Sequence, residues 1–275
     1  MDLIIDTLAF IGGGNMARSL VGGLIARGHD PRTIRVAEPV DALRDALAKD
    51  FGVSVFADGA DAVQGASTWI LGVKPQVLRG VCEALAPQAQ ASNPLIVSVA
   101  AGITTAQIDR WLGGGLAVVR TMPNTPALLG AGVTGLYANA RVAAEDRVET
   151  QSLLSAAGET VWIDDEAQMD AVTAVSGSGP AYIFLLAEAL QSAGEAEGLA
   201  QDAARTLALQ TILGAGRMLV ESEVDAAELR RRVTSPNGTT HAAITAFETG
   251  GFRELVGRAV HAARVRGKEL SDAND

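Results

Sequence analysis

The sequence predicts an α/β chain in which an N-terminal doubly wound sheet is followed by an all-α C-terminal domain. Two observations predict it. Up to about residue 164, short apolar runs alternate with stretches of helical periodicity; beyond that point the alternation stops and almost everything reads as helix. A glycine-rich turn, Gly12-Gly13-Gly14, also joins the first apolar run to the first helical stretch. Residues 1–164 and 165–275 are therefore expected to form separate domains.

In order along the chain, Thr7–Ile11, Ile34–Ala37, Val53–Phe56, Thr68–Val73, Leu95–Val99 and Leu116–Thr121 read as strands, rich in Val, Ile or Leu and mostly bounded by Gly, Pro or Asp. Between them, Met16–Arg27, Asp41–Phe51, Val77–Leu85 and Thr105–Leu112 carry apolar residues at helical spacing. Strands separated by helices of this length pair in parallel through crossovers. Gly28 follows the first helix where a left-handed cap is favoured. Val133–Tyr137, a helix over Ala143–Ala157 and a strand over Thr160–Ile163 complete this half. The rest reads as helices over Ala167–Val175, Pro180–Glu197, Gln201–Glu223, Ala226–Val233, Thr239–Thr249 and Arg253–Leu270. Pro180 suits a first helical turn. The stretch Leu207–Val220 is apolar on nearly all sides, which predicts a subunit interface.

Composition narrows the classes. A chain of 275 residues that is 48% apolar can bury one large core or two modest ones, and 20% charged residues with no low-complexity tract exclude a disordered protein. A net charge of −10 argues against a nucleic-acid partner, yet is compatible with an anionic cofactor held by loop amides. Cys82, the single cysteine, cannot form an internal disulfide, which fits a reducing compartment; its helical pattern with Leu78 and Leu85 makes it a core residue. The N-terminus has no basic residue ahead of its apolar stretch, and acids interrupt that stretch. No signal peptide and no membrane span are expected, and the protein is expected to be cytoplasmic.

The segment Phe10-Ile11-Gly12-Gly13-Gly14-Asn15-Met16-Ala17 fits a G-x-G-x-x-A dinucleotide fingerprint. Gly12 permits the tight turn, Gly14 lets the backbone approach a pyrophosphate, and Ala17 allows close helix–strand packing. Glu38 ends the second strand about 20 residues further on, where an acid commonly bonds the ribose 2′-hydroxyl. A carboxylate there repels a 2′-phosphate, and Pro39 and Val40 follow it rather than an arginine. The reading leans to NADH or dual use and leaves the phosphate open; a solvated loop acid is the plainer alternative. Small residues and a proline at the later strand ends, Val73-Lys74-Pro75 and Ala100-Ala101-Gly102, leave room for ribose and nicotinamide. Lys74 is either a surface lysine or a contact to substrate or cofactor.

Four further segments are rich in Gly, Pro, Ser and Thr: Arg120–Pro126, Ser176–Tyr182, Thr234–Thr240 and Gly250–Arg253. The middle two precede helices and offer amides and hydroxyls that suit a small carboxylate. F-I-G-G-G-N-M-A, V-K-P-Q-V-L, S-V-A-A-G-I-T, R-T-M-P-N-T-P-A, V-S-G-S-G-P-A-Y and V-T-S-P-N-G-T-T resemble pyrroline-5-carboxylate reductases in order and spacing, from about Leu8 to Leu270. The resemblance implies a Rossmann domain, a helical domain interlocked with a second subunit (a homodimer or a ring of dimers), and reduction of pyrroline-5-carboxylate to proline with NADP(H) or NAD(H). It puts Gly12, Gly13, Gly14, Asn15, Met16, Val73, Lys74, Pro75, Ala100, Ala101 and Gly102 at the cofactor; Ile11 and Glu38 join them on the fingerprint itself, Glu38 standing where NADPH-preferring members of the family tend to have a small polar residue. It puts Ser176, Gly177, Ser178, Gly179, Pro180, Asn237, Gly238, Thr239 and Thr240 at the substrate, with Thr240 bonding the ring nitrogen. Asn237 stands where glycine is more usual in the family; asparagine tolerates left-handed angles, which would preserve the loop.

Other chemistry finds little support. His29, His241 and His261 form no relay, and no His, Cys and Asp cluster has metal-ligand spacing. Asp164-Asp165-Glu166 reads as an acid run at a helix start, and Arg230-Arg231-Arg232 as a salt-bridged or interface face. A β-hydroxyacid dehydrogenase would need a lysine early in its helical domain, and none occurs between Lys74 and Lys268. A dinucleotide-binding protein without turnover would have no use for the Ser/Gly/Thr segments.

Overall fold

The computed structural model describes residues 7–272; the leading Met1-Asp2-Leu3-Ile4-Ile5-Asp6, part of the signal-peptide reading, lies outside them. The strands are β1 (Leu8–Ile11), β2 (Ile34–Ala37), β3 (Ser54–Phe56), β4 (Thr68–Leu71), β5 (Leu95–Ser98), β6 (Val118–Met122), β7 (Gly132–Ala138) and β8 (Gly158–Trp162). The helices are α1 (Asn15–Ala26), α2 (Asp41–Phe51), α3 (Gly59–Ala62), α4 (Pro75–Ser92), α5 (Thr105–Trp111), α6 (Ala144–Ser155), α7 (Met169–Val172), α8 (Gly179–Ala196), α9 (Gln201–Glu221), α10 (Ala226–Arg232), α11 (Thr239–Thr249) and α12 (Phe252–Asp272). The chain divides into two compact units: one runs to Ser178 and resumes at Ala263, and the other is Gly179–Ala262.

All eight strands form one sheet in the order β3-β2-β1-β4-β5-β6-β7-β8. Every pairing is parallel except β6 with β7. Strand order reverses between β1 and β4, the place where such sheets open a ligand crevice. Register makes that crevice sharp. Ile11 lies opposite both Ala37 and Leu71, so β1, β2 and β4 end level, and Gly12, Glu38 and Gly72 emerge side by side.

Helices cover both faces, which is why the central strands read as near-continuous apolar runs rather than as alternations. Leu8, Phe10, Ile70 and Val97 join Leu20, Leu24 and Leu47 in one core layer. Ala9, Ile11, Trp69, Leu71 and Ile96 join Leu78, Cys82, Leu85 and Ile108 in the other. Burial among these side chains pushes the Cys82 thiol up to about 12. Gly28, at φ 92°, closes α1 as its position predicted, and the His29 amide turns back to donate to the Leu24 carbonyl at 3.0 Å.

Two helices depart from expectation. α4 was expected to end at Leu85 but runs on to Ser92 with Pro87 inside it. Pro87 and Glu83, whose carbonyl the proline deprives of a donor, both face solvent, so water can take the place of the lost bond. The single helix expected over Ala167–Val175 is instead a 3₁₀ turn (Glu166–Gln168), one turn of α7, and a π-turn over Thr173–Gly177. Ser and Thr hydroxyls bend this segment: Thr173 donates to the Met169 carbonyl and Ser176 to the Val172 carbonyl, each at 2.9 Å.

The unit Gly179–Ala262 is built from helices alone. Ala204 and Ala208 are its only described buried residues, whereas Phe184, Leu185, Leu207, Leu213 and Val220 are exposed. An apolar groove of about 720 Å³ also opens in this unit, between Leu186, Leu190, Ile244, Phe247, Phe252 and Val256. A helical unit with so little interior of its own has the surface of a subunit interface.

Candidate active site

The candidate residues divide between the two units. In the first, the level strand ends bring the dinucleotide segments to one edge. Gly12 turns at φ 103°, its amide donating to the Ala37 carbonyl at 2.9 Å, and a Cβ there would meet the Gly72 carbonyl at 2.9 Å. No larger residue fits that turn without moving the backbone. Gly14, at φ −69°, is different: an added Cβ would meet nothing within 4 Å. The space in front of Gly14 and the first turn of α1, where Asn15 is exposed and Met16 half-buried, fit a pyrophosphate lying against helix amides.

Glu38 is buried, with both carboxylate oxygens engaged. Oε2 accepts from the Gly13 amide and Oε1 from the Val40 amide, each at 3.0 Å. The acid thus ties the end of β2 to the glycine turn. An arginine does stand at this corner: Arg44, from α2, donates to the Glu38 carbonyl at 2.8 Å and the Pro39 carbonyl at 3.3 Å, and pairs with Asp41 at 2.7 Å. Pro39 and Val40 directly follow Glu38, and the first turn of α2 brings Arg44 back from six residues on. Val73 is half-buried after β4, Lys74 is exposed as the N-cap of α4, and Pro75 opens that helix. Ala100 is buried, Ala101 is exposed, and Gly102 turns at φ 73° before the Thr104–Gln107 capping box of α5.

The same unit holds the Ser176–Ser178 turn. The Ser178 amide donates to the Thr173 carbonyl at 2.8 Å. Gly177 lies so close to the end of β6 that a Cβ would meet Met122 Cε at 2.6 Å. Asn124 is nearly buried between β6 and β7: its Nδ2 donates to the Ser176 carbonyl at 3.1 Å, and its Oδ1 accepts from the Val133 amide at 2.9 Å. Arg120, buried in β6, faces Glu166 at 3.4 Å and Asp170 at 3.9 Å. Glu166 also accepts from the Thr105 amide and hydroxyl at 2.8 and 2.9 Å. Of the acid run, Asp165 does cap its turn through the Ala167 amide, while Glu166 reaches across to α5 and β6. Asn124, Arg120 and Glu166 were missed as individuals because only their segments stood out by composition.

In the helical unit, Asn237 takes φ 60° and so supplies the left-handed turn that glycine would give. The Gly238 amide donates to the Ser235 carbonyl at 3.0 Å, and Gly238 then caps α11, whose first residues are Thr239 and Thr240. Thr240 is half-buried and His241 exposed. Gly179 and Pro180 form the first turn of α8. Glu228 holds Arg231 and Arg232 at 2.7 and 2.8 Å, and these hydrogen bonds draw its carboxyl down to about 2; Arg230 faces Glu248 at 3.7 Å. Among the described residues, no three His, Cys, Asp or Glu side chains gather as a metal site, and no helix is long and apolar enough to cross a membrane.

A model described as NADP oxidoreductase, coenzyme F420-dependent, matches residues 7–102, the part that carries the glycine turn and the level strand ends. Fold and turn together define a nicotinamide-dinucleotide oxidoreductase with a helical domain after its sheet. The model of pyrroline-5-carboxylate reductase dimerisation matches residues 166–270. A pyrroline-5-carboxylate reductase of Pseudomonas aeruginosa is 54% identical over 96% of this chain and 97% of its own length. A solved pyrroline-5-carboxylate reductase from Coxiella burnetii superposes with a TM-score of 0.94 at 44% identity, covering 97% of this chain and 99% of its own. A pyrroline carboxylate reductase from Plasmodium falciparum, solved with NADP bound, does so with a TM-score of 0.83 at 26% identity, covering 97% and 98%. The chain belongs to the pyrroline-5-carboxylate reductase family.

Proposed function

We propose that this enzyme reduces 1-pyrroline-5-carboxylate to L-proline by hydride transfer from NAD(P)H, the closing step of proline biosynthesis, as a cytoplasmic homodimer or ring of dimers. Residues 1–164 carry the dinucleotide and residues 165–275 carry the substrate and the dimer contacts. What carries the reading is a dinucleotide turn and a hydroxyl-bearing helix start retained by a member of this family that has no lysine between Lys74 and Lys268. The missing lysine disfavours a β-hydroxyacid dehydrogenase.

The bound dinucleotide supplies the hydride. Gly12, Gly13 and Gly14 with the first turn of α1 receive its pyrophosphate, assisted by Ile11, Asn15 and Met16. Glu38 lies beside its adenosine ribose, and Val73–Pro75 and Ala100–Gly102 line the path to its nicotinamide. Amides and hydroxyls of Ser176–Pro180 and Asn237–Thr240 hold the substrate carboxylate, which orients the ring; such orientation contributes several kcal/mol. The Thr240 hydroxyl hydrogen-bonds the ring nitrogen, its oxygen accepting from the N–H of the protonated imine. A cyclic imine is basic enough to arrive protonated, so no strong general acid is needed.

The test follows absorbance at 340 nm with purified protein and racemic pyrroline-5-carboxylate, using NADPH and NADH in parallel, with proline assayed as product. Imine-dependent oxidation that yields proline is expected. Folded protein that binds dinucleotide yet oxidises neither cofactor would overturn the reading.

A further inference from the structure

The Ser176–Ser178 turn carries an unusual demand. In a continuing α-helix the Ser176 carbonyl would accept from the amide of residue 180, four positions on. Residue 180 is proline and has no N–H to give. The chain meets the demand from elsewhere: the Asn124 Nδ2 lies 3.1 Å from the Ser176 oxygen. The other end of the same amide is fixed by the Val133 N–H at 2.9 Å, so chemistry alone sets its orientation: NH₂ toward the carbonyl, oxygen toward the amide. Asn124 is nearly buried and both of its polar ends are used. The turn is held further by the Ser176 hydroxyl on the Val172 carbonyl and by Gly177 against Met122. π-Turns are uncommon and recur at functional sites.

We infer that Asn124 is a positioning residue for imine reduction: it replaces the hydrogen bond that Pro180 removes, and so fixes the Ser176–Ser178 turn in the conformation that receives the substrate carboxylate. The inference rests on the proposed function, and the two fail differently. Inactive wild-type enzyme defeats the function; active wild-type enzyme indifferent to position 124 defeats only the inference.

The experiment is a cycle of Asn124→Ala, Pro180→Ala and the double variant, each measured for kcat, for KM of the imine and for dinucleotide affinity by fluorescence titration. Asn124→Ala is expected to lower kcat/KM for the imine at least tenfold and to leave the dinucleotide Kd within twofold. Pro180→Ala restores an N–H four residues beyond Ser176, so in that background the same substitution is expected to cost less than threefold. Equal losses in both backgrounds would overturn the inference, as would a parallel loss of dinucleotide affinity. Asn124→Asp keeps the acceptor for Val133 but sets a carboxylate oxygen against the Ser176 carbonyl, and thermal melts of every variant separate a lost turn from a lost fold. Asn124→Asp is expected to lose imine kcat/KM at least tenfold, and wild-type kinetics from it would also overturn the proposal.

Discussion

The two units of this chain solve the problem of burial in opposite ways. The sheet unit hides whole side chains, among them Trp69, Phe10, Leu20 and Ile34, in two layers that helices close on either face. The helical unit hides only Ala204 and Ala208, and leaves Leu185, Leu213 and Val220 in the open. One is a domain that carries its own core; the other, matched by a model of dimerisation, leaves its apolar side chains for a partner surface to cover. The same helical periodicity is compatible with either outcome, and what separates them is whether the chain itself brings a second apolar surface to each helix.

The sharpest way to break this comparison is to place a charge in each unit. Leu213→Asp in α9 is expected to abolish the oligomer and lower stability by about 3 kcal/mol or more, since it buries an unpaired carboxylate between subunits. Val148→Asp on α6, where the native side chain is 70% exposed, is expected to change stability by less than about 0.5 kcal/mol. Light scattering and thermal melts read both, and equal behaviour would dissolve the contrast.

Within the sheet unit, two glycines separate folding from binding. Gly12→Ala forces a Cβ into the Gly72 backbone at a left-handed angle, and is expected to cost about 2–4 kcal/mol in denaturant titrations. Gly14→Ala meets no atom of the protein, so its stability should stay within about 0.5 kcal/mol of wild type while the dinucleotide Kd rises about tenfold. A Gly14→Ala variant with unaltered affinity would remove the pyrophosphate from that turn. In the helical unit, Thr240→Val is expected to lower kcat by about 10- to 100-fold, the loss of one polar contact to the imine, with dinucleotide affinity retained.

The smallest effect concerns Cys82. With its thiol pushed up to about 12 inside the second core layer, it should resist a maleimide at pH 8 in the native enzyme and react once the chain is unfolded. Rapid native labelling would mean that this layer opens far more readily than its burial implies.

Most of the sheet was legible because a parallel strand covered on both faces is apolar at nearly every position, and such a run leaves little room for misplacement. Ile34–Ala37 and Asp41–Phe51 carry their expected limits, and the glycine turn lies where the fingerprint put it. Legibility failed where a local signal was outvoted. Pro87 looks like a stop but stands on a solvent face, where its missing bond is easily tolerated. The 166–177 segment has helical periodicity, yet its hydroxyls and the distant Asn124 amide draw it into a π-turn. Asn124, Arg44 and Glu166 act through partners from 6 to 61 positions away, and no spacing rule within a motif reveals such partners.

The tie between Glu38 and the glycine turn bears on how this enzyme would be re-engineered for a different electron carrier. Position 38 looks like a free choice, an acid to be traded for a small residue when room for an extra phosphate is wanted. It is also the acceptor for the Gly13 and Val40 amides, and the shorter serine cannot serve both, which leaves the buried Gly13 N–H without its acceptor. A successful exchange therefore has to come as a set: a new acceptor for the two amides, and a guanidinium released from the carbonyls that Arg44 now holds.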